Sequence, residues 1–149
     1  MIGEKIMSDI ILVSGGFDPI HSGHIKLINE AHKYGDVVVL LNSDQWLRNK
    51  KGKEFLPFDE RKIIMKNIKG VKEVIEFDDS DKTCIDGIQK AKSLYKNNKI
   101  KFANGGDRKN DTTPEKKFCD RNNIETLFGI GGDDKSNSSS WILNKWNEK

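Results

Sequence analysis

Ile10-Ile11-Leu12-Val13-Ser14-Gly15-Gly16-Phe17-Asp18-Pro19-Ile20-His21-Ser22-Gly23-His24 is the stretch on which the fold turns. Its first four residues are apolar and mostly β-branched and run into a glycine turn, as a strand buried on both faces does. Beyond the turn, Ile25, Leu27, Ile28 and Ala31 recur at helical spacing, and Gly35 is expected to stop that helix. The same strand-then-helix cadence repeats along the chain. Val37–Leu41 reads as a second strand, and Trp46–Lys53, polar and basic, as a surface loop. Pro57 precedes a helix with Asp59 and Glu60 at its N-terminal end and Ile63, Ile64 and Ile68 facing inward. Val71–Phe77 reads as a third strand, and Asp78-Asp79-Ser80-Asp81 offers an N-cap for a helix through Ile85, Ile88, Ala91 and Leu94. Lys101–Ala103 and Ile124–Phe128 read as strands, Pro114–Arg121 and Ser138–Trp146 as helices. Five strand–helix alternations with short connections predict an α/β fold. The expected form is a three-layer α/β/α sandwich around a Rossmann-like five-stranded parallel sheet, with residues 1–149 as a single domain.

Composition agrees with one folded domain. The 149 residues are 35% hydrophobic and 33% charged, enough for a core and too ordered in pattern for disorder. The net charge of +3 is too small to argue for nucleic acid or a membrane surface. No apolar stretch reaches the roughly 20 residues that span a bilayer, and the acid-bearing N-terminus does not look like a signal peptide. Cys84 and Cys119 have no CxxC spacing and read as reduced thiols of a cytoplasmic protein.

In a doubly wound sheet, ligands sit at the carboxyl ends of the strands. The loops after the first, second and fourth strands and the one before the last helix should therefore converge. In the first loop, Gly15 and Gly16 let the backbone approach a ligand, and the helix start beyond adds partial positive charge. His21 and His24, three residues apart, address the same region. Two imidazoles and a helix N-terminus make an anion site suited to a polyphosphate. Two other readings stand beside it. The histidines could merely cap the helix, or bind a metal, although His32 lies on the far part of the helix and the cysteines are elsewhere. Neither a G-x-G-x-x-G fingerprint nor a P-loop can be placed here.

Gly15–His24, with its His21-x-Gly23-His24 core, resembles the loop of the cytidylyltransferase-like nucleotidyltransferase superfamily, in particular its glycerol-3-phosphate cytidylyltransferases and heptose 1-phosphate adenylyltransferases. Four further motifs follow in compatible order: Asn42-Ser43-Asp44 with the basic Arg48-x-Lys50-Lys51-Gly52, Asp59-Glu60-Arg61, Asn104-Gly105-Gly106-Asp107, and Ser138-Ser139-Ser140. The resemblance implies an enzyme that moves a nucleoside monophosphate from CTP or ATP to a small phosphorylated sugar or polyol and releases pyrophosphate. It implies His21, His24 and Lys50 as catalytic groups, with Lys51 or Arg48 able to substitute for Lys50. Gly15, Gly16, Phe17, Asp18, Gly23, Asp107, Ser138, Ser139 and Ser140 would bind the nucleotide, and Arg48, Lys51 and Arg61 phosphate or the acceptor. Magnesium is expected with the triphosphate; Asp18, Asp44 and Asp107 are acids near the site, and their relation to the ion is open. Homodimers are common among such enzymes, and Trp46, Trp141 and Trp146 are equally readable as contact or core residues. One departure stands out: where cytidylyltransferases carry Arg-Thr-Glu-Gly, this chain has Asp133-Asp134-Lys135-Ser136, which tilts the nucleotide toward ATP. The competing reading is a nucleotide-binding module without turnover.

Overall fold

Along strand β1 (Ile10–Gly15) the side chains divide between two cores. Ile10 and Leu12 join one apolar cluster, Ile11 and Val13 the other, as the two-residue period of a strand requires when both faces are covered. Strand β2 (Asp36–Leu41) repeats this, with Val38 and Leu40 on the first side and Val37, Val39 and Leu41 on the second. A layer of helices must lie on each face, and it does.

The computed structural model describes residues 7–104, 113–131 and 139–148. The remaining elements, in chain order, are α1 (Ser22–His32), α2 (Asp44–Lys51), α3 (Phe58–Lys66), β3 (Val71–Glu76), α4 (Ile85–Leu94), β4 (Ile100–Ala103), α5 (Pro114–Arg121), β5 (Glu125–Leu127) and α6 (Ser139–Asn147). All strand pairs are parallel, in the order β3-β2-β1-β4-β5. The chain winds outward from β1 to β3, then returns to lay β4 against the other side of β1. Strand order therefore reverses at β1/β4, beside the loop singled out in the sequence. Ile28, Ala31 and Met65 of α1 and α3 fill one core, and Ile88, Ala91 and Cys119 of α4 and α5 the other.

Several local expectations need correction. Trp46–Lys53 is not a surface loop: residues through Lys51 form α2, because Ser43 Oγ caps it by accepting the Trp46 N–H and Leu47 anchors it in the core. In α3 the buried residues are Arg61 and Met65, whereas Ile63 is 58% exposed; Ile68, just past the helix, packs on the core as expected. Leu94, at the end of α4, is likewise 58% exposed. Helix α1 ends at His32, before Gly35. Gly35 is needed instead because a Cβ there would collide with the Asp9 carbonyl, where the chain crosses toward β2. Asp78-Asp79-Ser80-Asp81 does not cap α4; Asp78 and Asp81 accept from Ser80 and Thr83, and Asp79 turns inward.

Cys84 and Cys119 are free, buried thiols in one core cluster. Burial pushes them up to about 12 and about 11, so both are held protonated. Among the described residues no helix is long and apolar enough to cross a membrane.

Candidate active site

The β1–α1 loop turns at Phe17, whose φ of 49° is left-handed. Such a backbone costs a non-glycine residue about 1–2 kcal/mol. What holds it is the Phe17 ring, buried in the core with its edge against His24 at 4.8 Å between centroids. Gly16 is required by contact: a Cβ there would lie 2.7 Å from Leu47 Cδ2 and 3.3 Å from Trp46 Cζ3. The loop thus packs directly on α2.

Helix α1 begins with a reciprocal cap made by its two histidines. His21 Nδ1 accepts the Gly23 N–H at 3.0 Å, and His24 Nδ1 accepts the His21 N–H at 3.2 Å. The capping reading and the anion-site reading are therefore not exclusive. An Nδ1 that accepts a backbone N–H carries no proton, so each neutral ring bears its hydrogen on Nε2. The rings lie 3.9 Å apart between centroids. Burial, then the neighbouring His21 and Lys51, lowers His24 to about 4, which keeps it a neutral donor at physiological pH.

Both rings line a cavity of about 580 Å³ at the carboxyl end of the sheet. Gly15, Gly16, Phe17, Lys50, Lys51, Ser139 and Ser140 line it too, so three of the four segments predicted to converge do so, while residues 105–107 after β4 lie outside the described residues. Lys50 Nζ sits 4.8 Å from the centroid of the Trp46 ring, a cation–π contact. Lys51 Nζ donates to the Asp18 carbonyl at 2.7 Å, and its burial lowers it from the usual lysine range. Ser139 Oγ donates to the Pro19 carbonyl at 2.8 Å, fastening the start of α6 to the first loop.

Other expected site residues are engaged elsewhere. Arg61 is 1% exposed and does not line the cavity. Its Nε donates to Leu56 O, one terminal nitrogen to Gly16 O and Asn42 O, and the other to Asp44 Oδ1 at 2.7 Å. Such a guanidinium joins three loops, with four of its five N–H groups donated to the protein. Arg48 grips Glu54 through two bonds of 2.9 and 3.0 Å on the surface. Asp18 is buried and accepts the Phe55 and Leu56 N–H groups at 2.6 and 2.7 Å, so it braces the α2–α3 loop, although it borders the cavity. Gly23 serves through its N–H to His21, within α1. Asp107 and Ser138 lie outside the described residues, as do Gly105, Gly106 and Asp133–Ser136.

Sequence reasoning missed several contributors. Ser14, Leu27, Trp46 and Leu47 line the cavity; Trp46 and Leu47 lie in a segment that reads as a loop, Leu27 in an apolar stripe. Asp79 is another. Its carboxylate accepts Asn42 Nδ2 at 3.0 Å, Ser43 N–H at 2.8 Å and Ser43 Oγ at 2.7 Å. It thereby fixes the turn that launches α2, and only its place in an acidic cluster could have hinted at this. Among the described residues no group of three or more His, Cys, Asp or Glu is placed to hold a metal ion.

The strand–glycine–histidine loop thus lies at the switch point of a parallel sheet, with lysines and the serine-bearing start of a helix around it. The cytidylyltransferase-like family model matches residues 12–135, and the chain belongs to that family. The bifunctional protein HldE of Psychromonas ingrahamii is 37% identical over 78 residues, covering 50% of this chain and 16% of that protein. The glycerol-3-phosphate cytidylyltransferase of Bacillus subtilis is 38% identical over 66 residues, 44% of this chain and 51% of that enzyme. The chain thus matches between a sixth and a half of the length of these relatives. A lipopolysaccharide core biosynthesis protein from Thermoplasma volcanium shares the fold, with a TM-score of 0.61, 23% identity, and coverage of 81% of this chain and 93% of that one.

Proposed function

We propose that the protein transfers a nucleoside monophosphate from CTP or ATP to a small phosphorylated sugar or polyol, releasing pyrophosphate. The observation that carries this is the paired histidine cap: both Nδ1 atoms are used by the helix, so both rings offer Nε2–H within a cavity that also holds Lys50 and Lys51.

An anionic oxygen of the acceptor's phosphate attacks the α-phosphorus, a new P–O bond forms, and the bond from the α-phosphorus to the bridging oxygen of the β-phosphate breaks. The acceptor oxygen is already ionised, so no enzyme base is needed, and the leaving pyrophosphate carries the displaced electron pair. The protein's work is alignment and neutralisation of charge on phosphate oxygens. His21 and His24 donate through Nε2–H, and the ammonium of Lys50 leaves the Trp46 face to follow the developing charge. Lys51, fixed on the Asp18 carbonyl, serves as a stationary cation. The Ser140 hydroxyl and the backbone N–H groups at the N-terminus of α6 add donors for the distal phosphates, while the Ser139 hydroxyl holds Pro19.

Among the described residues no group of three or more His, Cys, Asp or Glu is placed to hold a metal ion; Asp18 accepts two N–H groups and Asp44 pairs with Arg61. Magnesium is proposed to enter on the triphosphate's own oxygens, as part of the substrate. The name of one curated relative, glycerol-3-phosphate cytidylyltransferase, supports the choice of acceptor class. The test is pyrophosphate release with CTP or ATP against a panel of sugar and polyol phosphates. Triphosphate binding without product from any acceptor would instead show a binding module.

A further inference from the structure

Two lysines of α2 reach the histidine-lined cavity, and they are held in opposite ways. Lys51 Nζ donates to the Asp18 carbonyl at 2.7 Å, a fixed tether. Lys50 Nζ instead lies 4.8 Å from the centroid of the Trp46 ring, which stands one helical turn back on the same face of α2. A π face attracts a cation without offering it a lone pair, so it is a weaker partner than a phosphate oxygen. Lys50 is exposed, which weakens the contact further and leaves the ammonium able to move.

The ring is anchored where the cation is not. Ser43 Oγ accepts the Trp46 N–H at 3.1 Å, and Asp79 accepts that hydroxyl at 2.7 Å and the Ser43 N–H at 2.8 Å. The indole also packs so close to the glycine turn that a Cβ on Gly16 would lie 3.3 Å from Trp46 Cζ3. A fixed face in the cavity wall thus gives the neighbouring ammonium two resting places, the ring without ligand and a phosphate with it. The ring contact then stabilises the ligand-free state alone. It works against retention of whichever anion has drawn Lys50 away. In a nucleotidyl transfer the anion that must leave is pyrophosphate, and departure of product limits many enzymes.

We propose that Trp46 is a positioning residue that takes Lys50 back and so promotes the release of pyrophosphate. The assignment rests on the transferase reading given above, because pyrophosphate is its product, but the exchange can be measured without turnover. In the full chain, isotope-labelled at the lysine ε-carbons, the NMR signal of Lys50 is identified by its loss in Lys50→Met. Without ligand its ε-protons are expected upfield of the other lysines, under the indole ring current, and saturating pyrophosphate should return them to the ordinary position. By calorimetry, Trp46→Leu should bind pyrophosphate about two- to fivefold more tightly, which is an exposed cation–π contact expressed as an equilibrium ratio. Trp46→Phe, which keeps a π face, should stay close to the unaltered chain. The gain should vanish in a Lys50→Met background, an outcome that a merely structural role of the ring would not produce. Lys50 ε-protons at the ordinary position without ligand, or still upfield with pyrophosphate bound, overturn the exchange, and these two measurements do not depend on Trp46→Leu folding. Equal, weaker or absent pyrophosphate binding in a folded Trp46→Leu overturns it as well. Pyrophosphate release from CTP or ATP, assayed separately, keeps the two readings apart. Turnover without the exchange rejects the role of Trp46 and keeps the transferase; the exchange without turnover on any acceptor rejects the transferase, and the release role with it.

Discussion

The wall of the histidine-lined cavity built by β1, β2 and α2 is tied together by buried charge. Arg61 bonds to Gly16, Asn42, Asp44 and Leu56, Asp18 to Phe55 and Leu56, and Asp79 to Asn42 and Ser43. The facing wall, α6, contributes Ser139 and Ser140 yet has no buried residue of its own; Ser139 Oγ fastens it to Pro19. The difference shows two ways of placing groups around one cavity. In the first wall, buried charged residues hold the backbone still, Asp18 from the cavity's border and Arg61 and Asp79 from outside its lining. In the second, the lining comes with the start of a surface helix.

The sharpest way to break this division is at the histidines, where architecture and chemistry share one side chain. His24→Ala should lower pyrophosphate release by roughly 10²–10³-fold, the scale of one lost transition-state donor. Wild-type turnover in that variant would remove His24 from the reaction. Next comes Arg61→Met, which strands several buried acceptors and should cost about 3 kcal/mol in urea unfolding. Arg61→Lys should not restore it, because an ammonium lacks the fork that reaches three loops. Asp79→Ala should cost about 2 kcal/mol by orphaning Asn42 and Ser43, and should raise the triphosphate KM as α2 loses its fixed start. An unchanged KM would restrict Asp79 to stability.

A pH series sharpens the comparison further. His24 is held at about 4 in the folded protein against 6.5 ordinarily, so the unfolded chain binds a proton that the native state refuses. Stability should therefore fall as pH drops from about 6.5 toward 4, and His24→Gln should flatten that part of the profile. The smallest effect is expected at Arg48→Ala, whose guanidinium is on the surface with Glu54. Neither melting temperature nor triphosphate affinity should change measurably; a clear loss of affinity would return Arg48 to the site.

Much of this was legible beforehand. Strand β1, helix α1 and the sheet followed from apolar period and glycine placement, because those signals are local. The convergence of Gly15, His21, Lys50 and Ser139 on one cavity followed from the topology rule. The burial of Arg61 was not legible, because a motif reports residue type and not direction. Its side chain lies on the same face of α3 as Met65, one turn on, and so points into the protein. Helix α2 was missed because Leu47 is its one buried residue and its charges mask the helical period. Ser43 before Asp44 was the available N-terminal signal.

Because Nδ1 of His21 closes the first turn of α1, retention of that histidine in a sister protein does not certify activity: folding alone would preserve it. Asparagine begins helices equally well and has no imidazole. His21→Asn should therefore yield a chain that is built correctly and transfers poorly, dividing two selective pressures that nature has superimposed on one position.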